Sequence, residues 1–151
     1  MINNSMFTCD SNEWETPQKL FDELNKKYNF DLDGCASDQN HKLDYYFTKN
    51  DSILNHNLSS MKVFCNPPYE HKLQDLIVEK LSKEKNCFSV LLIPARTDTK
   101  RFHEFIYNKP NSEVIFLRGR LAFEICGEPI KDKKGNIQKA PFPSMLEFLT
   151  I

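Results

Sequence analysis

The order of apolar and polar positions predicts a chain in which helices alternate with strands. Apolar residues recur at helical spacing over residues 17–28 and 71–85, and a further short helix is expected over residues 100–107. Shorter runs, either apolar throughout or alternating with polar residues, predict strands. These runs cover residues 30–33, 45–47, 63–65, 88–93, 114–117, 121–125 and 145–150.

This order of elements predicts an α/β fold. Residues 88–93 form a run that is apolar except for Ser89, which is typical of a strand buried on both faces of a parallel sheet. Alternation of strands with helices favours a mostly parallel sheet, and the all-strand end predicts an antiparallel C-terminal hairpin at one edge. The length of 151 residues suits one domain over residues 13–151, after a polar, flexible N-terminus over residues 1–12.

The start of the first helix carries two local signals. Thr16 is a good N-cap, because its hydroxyl can accept a hydrogen bond from a free amide of the first turn. Pro17 suits the first helical position, where no amide donor is needed. We therefore expect the helix to begin at Pro17 with Thr16 as its cap.

Charge adds a weak indication about partners. The net charge of −1 argues by itself against nucleic acid. The charges are unevenly distributed, since residues 1–60 carry a net −5 and residues 61–151 a net +4. This asymmetry is compatible with DNA contacts in the second half of the chain, and about equally with chance scatter over a solvated surface.

Other features of the sequence disfavour whole classes of protein. The longest apolar run falls well short of the ~20 residues that span a bilayer, and the N-terminus does not resemble a signal peptide, so no membrane partner is expected. The five cysteines, at positions 9, 35, 65, 87 and 126, are odd in number and widely spaced. That spacing fits neither a disulfide framework nor a zinc site, and we expect a cytoplasmic protein that binds no metal.

The segment Asn66-Pro67-Pro68-Tyr69 carries the strongest chemical signal. Two adjacent prolines end the strand before them, and ligands of open α/β sheets bind just beyond such strand ends. The Asn66 amide oxygen and the Pro67 carbonyl can accept hydrogen bonds from an amine, and the Tyr69 ring offers a face for stacking on a base. A rigid Pro-Pro turn capped by Asn66 is the structural alternative.

This loop and five further segments together resemble one known family. The segments are Trp14-Glu15-Thr16-Pro17, residues 30–37, residues 46–48, Asn66-Pro67-Pro68-Tyr69, residues 92–99 and residues 118–123. The loop alone is shared widely among amino-methyltransferases, but the ordered set is similar to the compact phage-type DNA N6-adenine methyltransferases. The resemblance runs from Trp14 to about Phe148. It implies an abbreviated Rossmann-like methyltransferase sheet. It also implies a protein that acts in the cytoplasm of a bacterium or a phage-infected host cell.

The resemblance also implies that S-adenosylmethionine is the cofactor. Residues matching elements that touch the cofactor are Trp14, Thr16, Pro17, Asp33, Gly34, Cys35, Ala36 and Asp51. The Asp33 carboxylate can pair with the ammonium group of the cofactor, and Gly34 allows close approach of the backbone. Asp51 resembles the acidic residue near the adenine or ribose, and helix N-capping by Asp51 is the alternative. Asp31 and Asp33 alone suggest a metal site about as readily, but nothing else in the chain completes one.

Three arginines are candidates for contact with double-stranded DNA. Arg96 follows the long buried strand, so it is expected at the functional edge of the sheet, with a structural ion pair to Asp98 as the alternative. Arg118 and Arg120 can hold phosphates. Three lysines, at positions 131, 133 and 134, add charge in a loop, where solvation alone is the commoner role.

The sequence therefore predicts methylation of the N6 amine of adenine in DNA, with the target base flipped into a pocket at Asn66-Pro67-Pro68-Tyr69. Rival hypotheses are methylation of cytosine N4 or of a protein glutamine, and a silent module that binds DNA or cofactor without turnover. Only 33 residues separate Asp33 from Asn66, which is too few for three strands that all have full helical crossovers. Either the sheet is abbreviated or two of its connections are short. Target specificity is expected from loops such as residues 126–143 or from a second subunit in a homodimer.

Overall fold

The computed structural model describes residues 13–150, so the flexible N-terminus expected over residues 1–12 lies outside the described part. The helices are α1 (Gln18–Tyr28) and α2 (His71–Lys83), with a 3-10 turn at Ile53–Asn55 and a π-helical turn at Phe102–Ile106. The strands are β1 (Leu32–Asp33), β2 (Lys62–Cys65), β3 (Phe88–Pro94), β4 (Ser112–Phe116), β5 (Glu124–Ile125), β6 (Glu128–Pro129) and β7 (Ser144–Thr150).

Five strands form the central sheet in the order β1-β2-β3-β7-β4. The first three are parallel, and β7 runs antiparallel to both β3 and β4. This confirms the α/β class, with parallel strands on one side of the sheet and antiparallel strands on the other. The strand predicted over residues 121–125 is mostly loop, and β5 instead pairs with β6 in a separate short hairpin.

The sheet is abbreviated at its β1 side. β1 pairs directly with β2, and the connection between them contains the 3-10 turn. The strand predicted over residues 45–47 is reduced to one parallel bridge between Asp33 and Tyr46, flanked by backbone hydrogen bonds on both sides. The 33 residues between Asp33 and Asn66 therefore hold this one irregular connection, and further strands with full helical crossovers would need more chain.

Helices and turns cover both faces of the sheet. Phe21 and Leu24 of α1 pack with the Phe30, Phe64 and Leu92 side chains on one face. The opposite face packs against α2, the 3-10 turn and the π-helical turn. Its contacts include Ile77, Leu81, Ile53 and Ile106. Because both faces are covered, β3 is buried over almost its whole length, as the apolar run predicts.

The start of α1 differs from the prediction. The helix begins at Gln18, Pro17 is its N-cap, and no side chain of the cap residue bonds the first turn. The Gln18 amide instead donates to a carboxylate oxygen of Glu124 at 2.7 Å. The prediction that Thr16 caps the helix is therefore wrong, because a distant carboxylate satisfies the free amide that the Thr16 hydroxyl was expected to satisfy.

A buried carboxyl group lies at the centre of β7. Glu147 is fully buried, and its Oε1 accepts a hydrogen bond from the Ser112 hydroxyl at 3.4 Å. Burial raises the pKa of Glu147 to about 8, against the opposing effects of the Ser112 hydrogen bond and the Arg101 charge. Arg101 is itself buried and pairs with Asp75 at 2.8 Å. Glu147 is therefore largely protonated at neutral pH.

Two further findings bear on the classes considered from sequence. Cys35, Cys65 and Cys87 are free thiols, whereas Cys126 is disulfide-bonded, which the odd cysteine count did not suggest. Across residues 13–150, no helix is long and apolar enough to cross a membrane.

Candidate functional site

The carboxyl ends of β1 and β2 open into one cleft, because parallel strands end at the same edge of a sheet. Most of the residues singled out from sequence line this cleft. They are Trp14, Thr16, Asp33, Gly34, Cys35, Ala36, Asn66, Pro67 and Tyr69. The segments that resemble cofactor-binding and catalytic elements, although far apart in sequence, are thus brought together.

Asn66 follows β2 and has a defined amide orientation. Its Nδ2 donates to the backbone carbonyl of Trp14 at 3.1 Å, and its Oδ1 accepts from the Tyr69 hydroxyl at 3.4 Å. The donor half of the amide is therefore engaged with the backbone, and the acceptor half makes one long hydrogen bond. An amide held in this way presents an oxygen to an amine donor in the cleft.

Tyr69 belongs to a cluster of aromatic rings. Its ring centroid lies 5.7 Å from that of Trp14, 5.8 Å from Phe123 and 5.3 Å from Phe142. Burial raises the pKa of the Tyr69 hydroxyl well above its ordinary value, so the hydroxyl remains protonated and can donate. The ring thus packs against the core and also lines the cleft.

Asp33 places a carboxylate at the floor of the cleft. It is buried, and its Oδ2 accepts the Lys42 backbone amide at 2.9 Å. Burial raises the pKa of Asp33, and this effect is opposed by backbone hydrogen bonds from Lys42 and Cys35 and by the Lys42 charge. A cationic ligand group beside this buried carboxylate would stabilise its charged form.

The glycine after β1 is required by packing. A Cβ added to Gly34 would lie 2.6 Å from Cδ1 of Ile53 and 3.2 Å from Cγ1 of Val63. The Gly34 amide also continues the pairing of β1 with β2 through a hydrogen bond to the Phe64 carbonyl at 2.8 Å. Close contact with the 3-10 turn therefore explains this glycine without any reference to a ligand.

Cys35 and Cys65 lie side by side beneath the cleft. Their sulfur atoms are 2.7 Å apart in a thiol–thiol hydrogen bond. Burial raises the pKa of Cys65 well above its usual range, with further contributions from Cys35 and Asp33. Cys65 therefore remains a protonated thiol, and the two side chains fill space between β1 and β2.

Several predicted site residues lie elsewhere. Pro17 and Asp51 are not among the lining residues of the cleft. Asp51 is exposed, and its carboxylate pairs with His56 Nε2 at 2.6 Å. The alternative of helix capping by Asp51 is wrong, because the Ser52 hydroxyl caps the 3-10 turn by accepting the Leu54 amide at 3.2 Å.

The basic candidates are exposed side chains. Arg96 follows β3, and its guanidinium carbon lies 5.8 Å from the centre of the Phe142 ring, in cation–π range. Arg118 and Arg120 lie in the loop between β4 and β5. The three candidate lysines lie in the loop after β6, where every residue from 131 to 139 is exposed. Arg96 is thus linked through Phe142 to the aromatic cluster around Tyr69.

Sequence reasoning missed several residues of the site. Lys42 lines the cleft, and its Nζ donates to Gln18 Oε1 at 2.8 Å. Burial lowers the pKa of Lys42, against four neighbouring carboxylates led by Glu124 and Glu15. Other unpredicted lining residues with polar side chains are Glu13, Ser37, Asn40, Thr48, Lys49 and Ser52. Residues 37 and 40 extend the Asp33 segment along the chain, but no local signal marks Lys42.

The described part of the chain contains no cluster of side chains suited to binding a metal ion. Among residues 13–150, no group of three or more His, Cys, Asp or Glu side chains could hold a metal ion. In the structure, Asp31 Oδ2 accepts the Lys62 amide at 2.8 Å and Asp33 Oδ2 accepts the Lys42 amide at 2.9 Å.

Two comparisons show which known proteins this chain is similar to. A family model described as DNA N-6-adenine-methyltransferase (Dam) matches residues 5–149. A protein of Haemophilus phage HP1 (strain HP1c1), named DNA N-6-adenine-methyltransferase, is 27% identical over 121 residues, covering 78% of this chain and 68% of the phage protein. The range matched by the family model contains every residue that lines the cleft.

Proposed function

Because the chain belongs to the DNA N-6-adenine-methyltransferase family, we propose that it transfers the methyl group of S-adenosylmethionine to the N6 amine of an adenine flipped out of duplex DNA. The cleft at the ends of β1 and β2 holds both reactants. The observation that carries this proposal is the orientation of the Asn66 amide, whose nitrogen is bonded to the Trp14 carbonyl at 3.1 Å.

The residues of the cleft fit the proposed cofactor. The buried Asp33 carboxylate suits an ammonium group, and Trp14 and Thr16 lie beside the same cleft for the rest of the methionine moiety. The hydroxyl of Ser52 and the amide of Asn40 are available to ribose and adenine atoms. When bound, S-adenosylmethionine supplies an electrophilic methyl group on a sulfonium.

Asn66 and Pro67 hold the amine. The Asn66 oxygen and the Pro67 carbonyl each accept one N–H of the adenine amino group, which directs the nitrogen lone pair toward the methyl group. No strong base is needed, because the amine becomes acidic only as its nitrogen gains positive charge. Loss of the proton to solvent then restores a neutral product. The contribution of the chain is orientation and electrostatic stabilisation.

Tyr69 binds the flipped base by stacking. Its ring is held by neighbouring aromatic rings, so the stacking surface is fixed before the base arrives. Stacking on an aromatic side chain contributes about 1–3 kcal/mol per base. This gain offsets part of the cost of unpairing the adenine.

Arg96, Arg118 and Arg120 are proposed to contact DNA phosphates. All three are exposed, and the cation–π contact of Arg96 places its guanidinium near the aromatic cluster. The exposed loop over residues 131–139 is a further candidate for contact with the target sequence. The proposal predicts that DNA binding weakens with salt in proportion to the phosphates contacted.

Transfer of a radioactive methyl group tests the proposed function. The purified chain is incubated with S-adenosylmethionine tritiated on its methyl group and with unmethylated duplex DNA, and the DNA is then digested to nucleosides. We expect the label in N6-methyldeoxyadenosine. Label in N4-methyldeoxycytidine, or in the glutamine of added cell protein, would assign the site to another amine. Binding of cofactor and DNA without transfer would identify a silent module.

A further inference from the structure

One acidic residue outside the proposed reaction is unusually well connected. Glu15 is buried, and both of its carboxylate oxygens accept backbone amides. Oε2 accepts the Cys126 amide at 2.9 Å, and Oε1 accepts the Gly127 amide at 3.0 Å. These two residues form the turn between β5 and β6, and both have positive φ, at 55° and 76°. The turn thus presents two successive amides to one carboxylate.

The backbone of Glu15 is fixed as firmly as its side chain. Its amide donates to the Glu124 carbonyl at 2.8 Å, and the Glu124 amide donates back to the Glu15 carbonyl at 3.0 Å. Glu124 in turn uses its own carboxylate to accept the first amide of α1. The hairpin of β5 and β6 is therefore hydrogen-bonded to the segment before α1 through both main-chain and side-chain groups.

This segment reaches the proposed catalytic loop through a single peptide group. The carbonyl that accepts the Asn66 amide belongs to Trp14, and it shares a planar peptide with the Glu15 amide. One edge of that peptide is bonded to Glu124, and the opposite edge orients Asn66. Because the peptide is rigid, any rotation at Glu15 turns the carbonyl away from Asn66.

We propose that Glu15 is a positioning residue that, through the Trp14–Glu15 peptide, fixes the Asn66 amide with its oxygen toward the substrate amine. This inference rests on the proposed role of Asn66. Without the carboxylate, the two turn amides lose their acceptor and the peptide plane is held by one main-chain bridge alone. The Asn66 amide then samples orientations in which its nitrogen, not its oxygen, faces the amine.

A double-mutant cycle tests this coupling. Glu15→Gln keeps the size of the side chain but replaces one acceptor oxygen with a donor group. We expect kcat to fall about 10- to 100-fold, which is less than the about 100- to 1,000-fold lost when a preorganised polar group is removed outright. The KM for DNA and the Kd for S-adenosylmethionine should change less than about threefold, because Glu15 contacts neither. Glu128→Gln, on an exposed carboxyl group of the same hairpin, is the matched control and should keep full activity.

The same change is then made in an Asn66→Ala background under single-turnover conditions. If Glu15 acts through Asn66, Glu15→Gln should cost less than about twofold there, since coupled residues are not additive. A full loss in that background would overturn the positioning role while leaving Asn66 in place. If Asn66→Ala alone keeps its activity, the proposed function fails, whatever Glu15 does.

A folding failure is handled by a gentler variant. If circular dichroism shows that Glu15→Gln is unfolded, Glu15→Asp replaces it in the cycle, because it keeps the charge while the shorter side chain cannot reach both amides. Additive losses with Glu15→Asp would equally overturn the inference. Fluorescence of Trp14, the single tryptophan of the chain, reports whether the segment has moved.

Discussion

Replacing Asn66 with alanine separates catalysis from stability, and the structure sets the size of both effects. The change removes one hydrogen bond, from Nδ2 to the Trp14 carbonyl, and one long contact with the Tyr69 hydroxyl. The net loss in stability is about 0.5–1.5 kcal/mol. For a chain of this size it lowers Tm by about 2–4 °C per kcal/mol. A domain that starts with about 5–15 kcal/mol stays almost entirely folded.

The loss in rate should be far larger than this loss in stability. Removing one preorganised polar group from a reaction centre costs about 100- to 1,000-fold in turnover. We therefore expect kcat of Asn66→Ala to fall by at least ~100-fold, while S-adenosylmethionine binds within a few-fold of wild type. The folded fraction accounts for none of this difference.

Methyl transfer and thermal melting are measured on the same samples. Asn57→Ala is a matched control, because Asn57 is exposed, does not line the cleft, and accepts one backbone amide, from Ser59 at 2.8 Å. It should lose a similar amount of stability and keep its activity. Turnover of Asn66→Ala within about fivefold of wild type, against the ~100-fold expected, would refute the reasoning.

Substitutions at five further residues test other parts of the site and the core. Asp33→Asn removes a buried charge at constant shape, so calorimetry should show S-adenosylmethionine binding at least ~10-fold more weakly; equal affinity would place the ammonium group elsewhere. Tyr69→Phe should keep most of its activity. Tyr69→Ala should lose ~10- to 100-fold per folded molecule and also melt several degrees earlier; normal turnover of its folded fraction would leave the ring with a core role only. Arg118→Ala or Arg120→Ala should each flatten the salt dependence of DNA binding by about one unit of slope in fluorescence anisotropy, and unchanged slopes would remove both from the DNA contact. Glu147→Gln should become more stable relative to wild type as pH rises from about 5 to 8. The reason is that burial raises the pKa of Glu147 to about 8, so the free energy of unfolding of the wild type falls across that range. Denaturant titrations measure this difference, and a difference independent of pH would show that Glu147 is not protonated in the folded state.

The strand ends and the loop after β2 were predictable because their signals are local. The apolar run before Asn66 and the two prolines after it lie within seven residues of one another, and they fix both a strand and its end. Asp33 likewise lies at the end of its strand. Parallel pairing then brings these two ends to one edge of the sheet, which sequence order alone suggests.

The supports of the site were not predictable because they depend on contacts between distant parts of the chain. Glu15 bonds the Cys126 amide across 111 residues, and no pattern near Glu15 distinguishes it from a solvated acid. The cap of α1 shows how such contacts override local preference. Thr16 has a good capping side chain, but Glu124 reaches the free amide of Gln18 from 106 residues away. Lys42 was not predicted to line the cleft, because its position there also depends on contacts with distant residues.

The position of β7 has a consequence for how the chain is made. β7 follows β3 and β4 in chain order, yet it pairs with both and joins the two halves of the sheet. A ribosome adds about 5–20 residues per second from the N-terminus, so β3 and β4 emerge seconds before their shared partner. During that interval β3 has one unpaired edge and β4 has no sheet to join. Nascent chains that stall after β4 and before β7 is synthesised expose apolar strand edges. Binding of chaperones to the nascent chain should be greatest in this interval.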